Sequence, residues 1–171
     1  MTPIDRLIAI EDIRQLKARY FRTVDTRDYP AMAETFCKDA LFDFSECMTV
    51  HPLGGEPVGS PGPVIEGRDA IMAWIEASMR DFTSCHHGHC HEVTIDSETE
   101  AHGVIAINDE IRDASRTRRL LAASGHYWER YRFEDGAWRI AHIRLTRLFN
   151  DVAPDGAFAG GAADLEASVP A

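Results

Sequence analysis

The chain has 171 residues, 44% hydrophobic and 27% charged, with a formal net charge of −10. That length and balance fit one globular domain with a sizeable core rather than a disordered chain. The negative charge repels phosphate backbones and anionic membrane surfaces, which argues against nucleic acid and membrane as partners, and no apolar stretch approaches the roughly 20 residues that cross a bilayer.

The start, Met1-Thr2-Pro3-Ile4-Asp5, lacks the basic run and apolar core of a signal peptide, so a cytoplasmic location is expected. Thr2, Pro3 and Asp5 form a helix start, with a capping hydroxyl, proline in the first turn and an acid near the exposed amides. Ile4, Leu7, Ile8, Leu16, Tyr20, Phe21 and Val24 then recur at helical spacing, which predicts a helix to Thr26. Asp28 caps a second, short helix through Pro30, Met32 and Phe36, and Leu41-Phe42-Asp43-Phe44 reads as a strand. Residues 45–66 hold four of the eight prolines, and with the adjacent Gly67 five of the twelve glycines, so this stretch reads as a long loop of the lid or binding type. Arg68 to Arg80 returns to helix, with Ile71, Trp74, Ile75 and Met79 on one face. Four strands follow at 83–96, 101–113, 117–134 and 137–149, separated by turn residues such as Glu134-Asp135-Gly136. Three helices and then a meander of strands predict an α+β domain over residues 1–150. Residues 151–171 are Ala/Gly-rich without Lys or Arg, and read as a flexible tail or as an arm on a neighbouring subunit.

The chemistry concentrates in Cys85-His86-His87-Gly88-His89-Cys90-His91, which carries four of the eight histidines. Histidine both titrates near neutral pH and ligates metals. Strand alternation puts His87, His89 and His91 on one face and His86, Gly88 and Cys90 on the other. The first set is a candidate metal triad, with His126, Asp109 or Glu129 as further ligands. The competing reading is that one histidine, His86 or His87, is an acid–base group. No C-x-x-C pair occurs, and Cys37, Cys47, Cys85 and Cys90 read as reduced, buried thiols.

On strand 101–113, Asp109 interrupts the apolar row of Ile105, Ile107 and Ile111. A carboxylate facing a core is either a catalytic acid or base, or half of a salt bridge, here with Arg147 or Arg144. Tyr20 and Asp25 lie about 140° apart on an ideal helix and can border one cavity at its end. Tyr127, Glu129, Tyr131 and Phe133 form a row on strand 117–134, and Arg144 and Arg147 sit among apolar residues near the end of the last strand. The chain has no G-x-G-x-x-G after a strand, no P-loop, no G-x-S-x-G and no H-E-x-x-H, which argues against nucleotide cofactors and a serine nucleophile. His, Asp, Tyr and Arg around an apolar pocket suit proton transfer.

The order of these features resembles the SnoaL-like branch of the NTF2-like superfamily over residues 4–149. Tyr20 and Asp25 on the first helix, Gly67-Arg68-Asp69-Ala70-Ile71, His86-His87-Gly88-His89, Gly125-His126-Tyr127 and Gly136-Ala137-Trp138-Arg139-Ile140 carry the likeness. The resemblance implies a cone-shaped α+β barrel, a curved antiparallel sheet packed on three N-terminal helices around a deep pocket. Its enzymes include bile-acid 7α-dehydratase, scytalone dehydratase and ketosteroid isomerase, and most act without cofactor or metal. It therefore implies a cofactor-free, metal-free lyase of the dehydratase type, acting on a small hydrophobic cyclic or aromatic substrate. Retro-aldol cleavage with formaldehyde release, ketosteroid-type isomerisation and a non-catalytic binding module are the alternatives. By the same resemblance, His86 is the base, Asp25 its partner, Tyr20 a proton donor, Asp109 an assistant in proton transfer and Arg147 the anchor for a polar substrate end. His87, Tyr127, Arg144, Phe44 and Trp74 are expected to contact the substrate. The implied assembly is a homo-oligomer, a dimer or a trimer.

Overall fold

A computed structural model of the chain describes residues 1–154. The expected tail is described only in its first residues, and the rest of it lies outside the described part. Helix α1 (Pro3–Thr26) opens with a full capping box, in which the Thr2 hydroxyl accepts from the Asp5 amide and the Asp5 carboxylate accepts from the Thr2 amide. Helix α2 (Tyr29–Ala33) is capped by Asp28 through the Ala31 amide. Strand β1 (Phe36–Asp43) starts earlier than predicted and takes Phe36 out of the helix. Strand β2 (Val64–Glu66) and helix α3 (Arg68–Ser78) follow, then β3 (Phe82–Ile95), β4 (Glu100–Asp113), β5 (Arg119–Glu134) and β6 (Ala137–Val152).

The buried stripe of α1 is Ala9, Ile13, Leu16, Lys17, Tyr20, Phe21 and Val24. Ile4, Leu7 and Ile8, counted as part of the apolar face from spacing alone, are exposed. The helix is longer than the sheet surface it covers, so periodicity continues past the contact that gives it meaning. No described helix is long and apolar enough to cross a membrane.

The four long strands form the expected antiparallel meander, and the α+β class stands. The cone-shaped barrel does not. The sheet is an open, mixed one in the order β2-β1-β6-β5-β4-β3, with β1 running parallel to β6. The parallel pair arises because the chain crosses over through α3 before the meander returns β6 to β1. Closure would require β2 to pair with β3, but β2 offers three residues to a strand of fourteen, and the two stand at opposite edges of the sheet. The core lies between the helices and one sheet face, which α1 and α3 cover.

The 45–66 region is more ordered than its composition suggests. The Phe44 amide donates to the Pro63 carbonyl at 2.8 Å, and Val50 and Val58 exchange backbone bonds of 2.8 and 2.9 Å. Val50 also bridges to Arg147 on β6. The strap thus folds onto the end of the sheet that holds the candidate site. Among the cysteines all four are free, but only Cys37 and Cys47 are buried; Cys85 and Cys90 are exposed on the edge strand β3.

Candidate active site

The alternation predicted for the histidine run breaks at one point. The β3–β4 register shifts between His89 and Glu92, and Cys90 adopts a left-handed backbone with φ of 46°. This bulge moves His91 to the inner face with Val93 and Ile95, while His87 and His89 face outward. The triad His87, His89 and His91 therefore does not share a face, and among the described residues no three ligands cluster as a metal site. Before the bulge, Ser84, His86 and Gly88 point inward. Gly88 is required there, because a Cβ would lie 2.5 Å from Phe21 Cε2 and 2.6 Å from Ile105 Cδ1. The Phe21 ring that presses on Gly88 also stacks on His86, 6.0 Å between centroids and 13° between planes.

Asp25 sits in the last turn of α1, where the helix reaches β3. Its carboxylate accepts from Ser84 Oγ at 2.8 Å and from the His86 amide at 2.9 Å, and meets His86 Nδ1 at 2.6 Å. Burial pushes the Asp25 pKa up, but the bonds from His86 and Ser84 outweigh it, and the net shift is downward. An ionised Asp25 makes Nδ1 the protonated nitrogen, which leaves Nε2 of a neutral His86 as a base. Two donors besides the ring fix the carboxylate, so the imidazole orientation is set before any ligand arrives.

His86 borders a cavity of about 110 Å³. Its wall is aromatic: Phe42 and Phe44 stack at 3.8 Å between centroids, and Trp74 meets them at 5.6 and 6.0 Å. Tyr20 and Tyr127 also line it, edge to face at 6.2 Å, and both are buried. Burial raises the pKa of both phenols, so they are neutral donors at physiological pH.

Asp109 stands directly opposite His86 across the β3–β4 ladder and also lines the cavity. It is held by Arg147 through two hydrogen bonds, one from Nη1 to Oδ1 and one of 3.0 Å from Nη2 to Oδ2. Arg147 Nε donates to the Cys47 carbonyl at 3.0 Å, so the pair also ties down the 45–66 strap. Gly125 makes this possible. It pairs with Arg147 at a bulge where a Cβ would lie 1.9 Å from the Thr146 carbonyl oxygen. With its donors turned to Asp109 and Cys47, Arg147 does not stand as a free anchor for a substrate anion.

Of the ten residues singled out from the sequence, Tyr20, Phe44, Trp74, His86, Asp109, Tyr127 and Arg147 line the cavity, and Asp25 supports it through His86. Two are not brought there. His87 is exposed on the outer side of β3, with Cys85 Sγ about 3.9 Å from its ring. Arg144 pairs with Glu46 at 2.5 Å on the other face of β6. Alternation separates Arg144 from Arg147, since an odd spacing on a strand reverses the face.

Sequence reading missed Ser84 and Lys17. Ser84 was legible as the residue two before His86 on the same face. Lys17 was legible as the one cation on the buried stripe of α1. Its ammonium is 2.5 Å from Glu129 Oε1 and 3.9 Å from the ring centroids of both Tyr20 and Tyr127. Burial draws its pKa down to about 8 against the upward pull of Glu129.

The SnoaL-like domain family matches residues 5–144. Among solved structures, the chain is similar to a putative scytalone dehydratase from Novosphingobium aromaticivorans, at 19% identity and a TM-score of 0.71 over 86% of this chain and 89% of that one. A hexachlorocyclohexane dehydrochlorinase from Novosphingobium barchaimii is similar at 15% identity and a TM-score of 0.68, over 90% and 95% of the two chains. A Mycobacterium tuberculosis protein of unknown function reaches 29% identity and a TM-score of 0.66, over 91% and 80%. At 15 and 19% identity, the first two establish a shared fold.

Proposed function

The chain belongs to the SnoaL-like domain family, and from that membership and the site geometry we propose that it is a lyase of the dehydratase type working by His86–Asp25 acid–base chemistry. The observation that carries this reading is the 2.6 Å contact between His86 Nδ1 and Asp25 at the edge of an aromatic cavity. A binding module has no need to hold an imidazole in one tautomer with a threefold-bonded carboxylate. The resemblance of the fold to a putative scytalone dehydratase and to a dehydrochlorinase supports the same class.

In the proposed reaction, His86 Nε2 takes a proton from the carbon next to a carbonyl. The C–H electron pair becomes the new C=C bond, and the C–O bond to a hydroxyl one carbon further breaks. The imidazolium, stabilised by Asp25, returns its proton to the departing hydroxide, and water leaves. Tyr20 donates a hydrogen bond to the carbonyl oxygen as negative charge grows there, where a buried donor is most effective. The one proton that moves is the substrate's own, carried by His86 from carbon to the departing oxygen, so the protein ends the cycle unchanged.

The substrate is proposed to be a small, uncharged, cyclic or aromatic hydroxy ketone. Phe42, Phe44 and Trp74 offer ring faces, and the Asp109–Arg147 pair is internally neutral, so among the described residues the cavity lining has no unpaired cation for a carboxylate. That pair is accordingly given the task of holding the cavity floor rather than moving protons. Isomerisation and retro-aldol cleavage would draw on the same base and differ in product. The test is a product assay on aryl β-hydroxy ketones with His86→Ala and His87→Ala made separately. Loss in the first and retention in the second are expected; full activity in His86→Ala overturns the assignment.

A further inference from the structure

The buried Lys17–Glu129 pair lies behind the cavity and takes no part in the steps above. The side chains are 1% and 0% exposed. Glu129 Oε1 accepts from Lys17, its Oε2 accepts from the Tyr131 hydroxyl, and His91 Nε2 meets the Tyr131 oxygen at 3.0 Å. The chain of contacts runs from α1 across β5 to β3. A buried ion pair is costly to desolvate, and an apolar pair of the same volume commonly serves stability as well or better. What an apolar pair cannot supply is a cation placed against two phenol rings. Lys17 Nζ stands 3.9 Å from the centroids of both Tyr20 and Tyr127, and 4.7 Å from that of Phe21. Tyr20 is one helical turn after Lys17, and Tyr127 is two residues before Glu129 on the same face of β5, so both members of the pair are tied to a cavity phenol.

We propose that Lys17 is a positioning residue. Held by Glu129, its ammonium fixes the rings of Tyr20 and Tyr127, whose hydroxyls hydrogen-bond each other, and polarises this phenol pair into a stronger donor toward a carbonyl oxygen in the cavity. A cation over an aromatic face is attracted by the ring quadrupole, and it withdraws electron density from the phenol oxygen in the ring plane. The ion pair thus aligns the two phenols and strengthens the donor they present without itself touching the ligand. This inference rests on the carbonyl-binding reading of the cavity given above.

The experiment is the C=O stretching frequency and affinity of acetophenone bound to the full chain, compared with Lys17→Met/Glu129→Gln. In this double variant Gln still accepts from Tyr131 and no charge is left unpaired. Expected is a stretch lowered on binding to the unaltered protein, a lowering at least halved in the double variant, and affinity about tenfold weaker, with the cooperative thermal transition retained. A Tyr20→Phe variant should reduce the lowering likewise. An identical stretch and affinity in the double variant overturn the role of Lys17 and leave the cavity reading intact. Failure of the unaltered protein to bind acetophenone overturns the cavity reading, and the Lys17 proposal with it.

Discussion

Replacing Asp109 by Asn removes one charge of the cavity floor and keeps its shape. Arg147 and Asp109 side chains are 5% and 4% exposed, so neither charge has water to fall back on. Two charges about 4 Å apart attract by about 4 kcal/mol at an effective dielectric constant of 20. Breaking such a pair from one side costs about 3–5 kcal/mol, because the other charge stays buried. Asn retains one acceptor oxygen for Arg147, which places Asp109→Asn at the lower end, about 3 kcal/mol. With a urea m-value of about 2 kcal/mol/M, the unfolding midpoint should fall by about 1.5 M. Arg147 would then carry a free cation into the cavity, and the variant should bind benzoate, which the unaltered protein should not. The double variant Asp109→Leu/Arg147→Met should recover most of the stability and bind no benzoate. Urea titration followed by tryptophan fluorescence, repeated with benzoate, reads both effects. A midpoint lowered by less than about 0.3 M, or equal benzoate binding by the unaltered protein, refutes the view of a mutually saturated pair.

Asp25→Asn should lower turnover of a β-hydroxy ketone about 10²–10⁴-fold with little change in KM, because the imidazolium loses its partner in the reaction rather than in binding; steady-state kinetics checks the split. Gly88→Ala should destabilise by about 1–3 kcal/mol, since its methyl would meet Phe21 and Ile105 inside van der Waals contact; thermal denaturation is the assay, and an unchanged midpoint would mean that β3 yields there. Burial lowers the His91 pKa from 6.5 to about 4. The unfolded chain then binds a proton that the folded one does not between those values, so stability falls as pH drops from 6.5 toward 4. Allowing for partial exposure of the ring, His91→Gln should flatten this acid limb by about 2 kcal/mol, read by denaturant titrations at a series of pH values.

The meander of β3–β6 was legible because its strands alternate and end in turn residues, and α1 was legible from its cap and period. The sheet's openness was not. Nothing in the composition of residues 45–66 announces that Val64–Glu66 pair with β1, or that this strand is too short to close a barrel. The His86–Asp25 meeting rested on resemblance, since strand parity alone left His86 and His87 equivalent. What decided between them was local: a bulge at Cys90 lies beyond the site, and Phe21 closes on Gly88 so that the inner face holds His86. Asp109 was conspicuous as a carboxylate in an isoleucine row, yet sequence could not tell that both of its oxygens face Arg147. Lys17 shows the reverse lesson: a charged residue within an apolar helical stripe is as informative as a carboxylate in a strand.

The central claim is that His86 Nε2 removes a proton next to a carbonyl, and exchange can be measured without knowing the leaving group. Deuterium uptake at the carbon between ring and carbonyl of 1-phenylpropan-2-one, followed by proton NMR in heavy water, isolates that step. The unaltered protein and His87→Ala should catalyse the exchange, and His86→Ala should reduce it to the uncatalysed rate while keeping its fold. Exchange by His86→Ala at the rate of the unaltered protein, or none by either, would contradict the account.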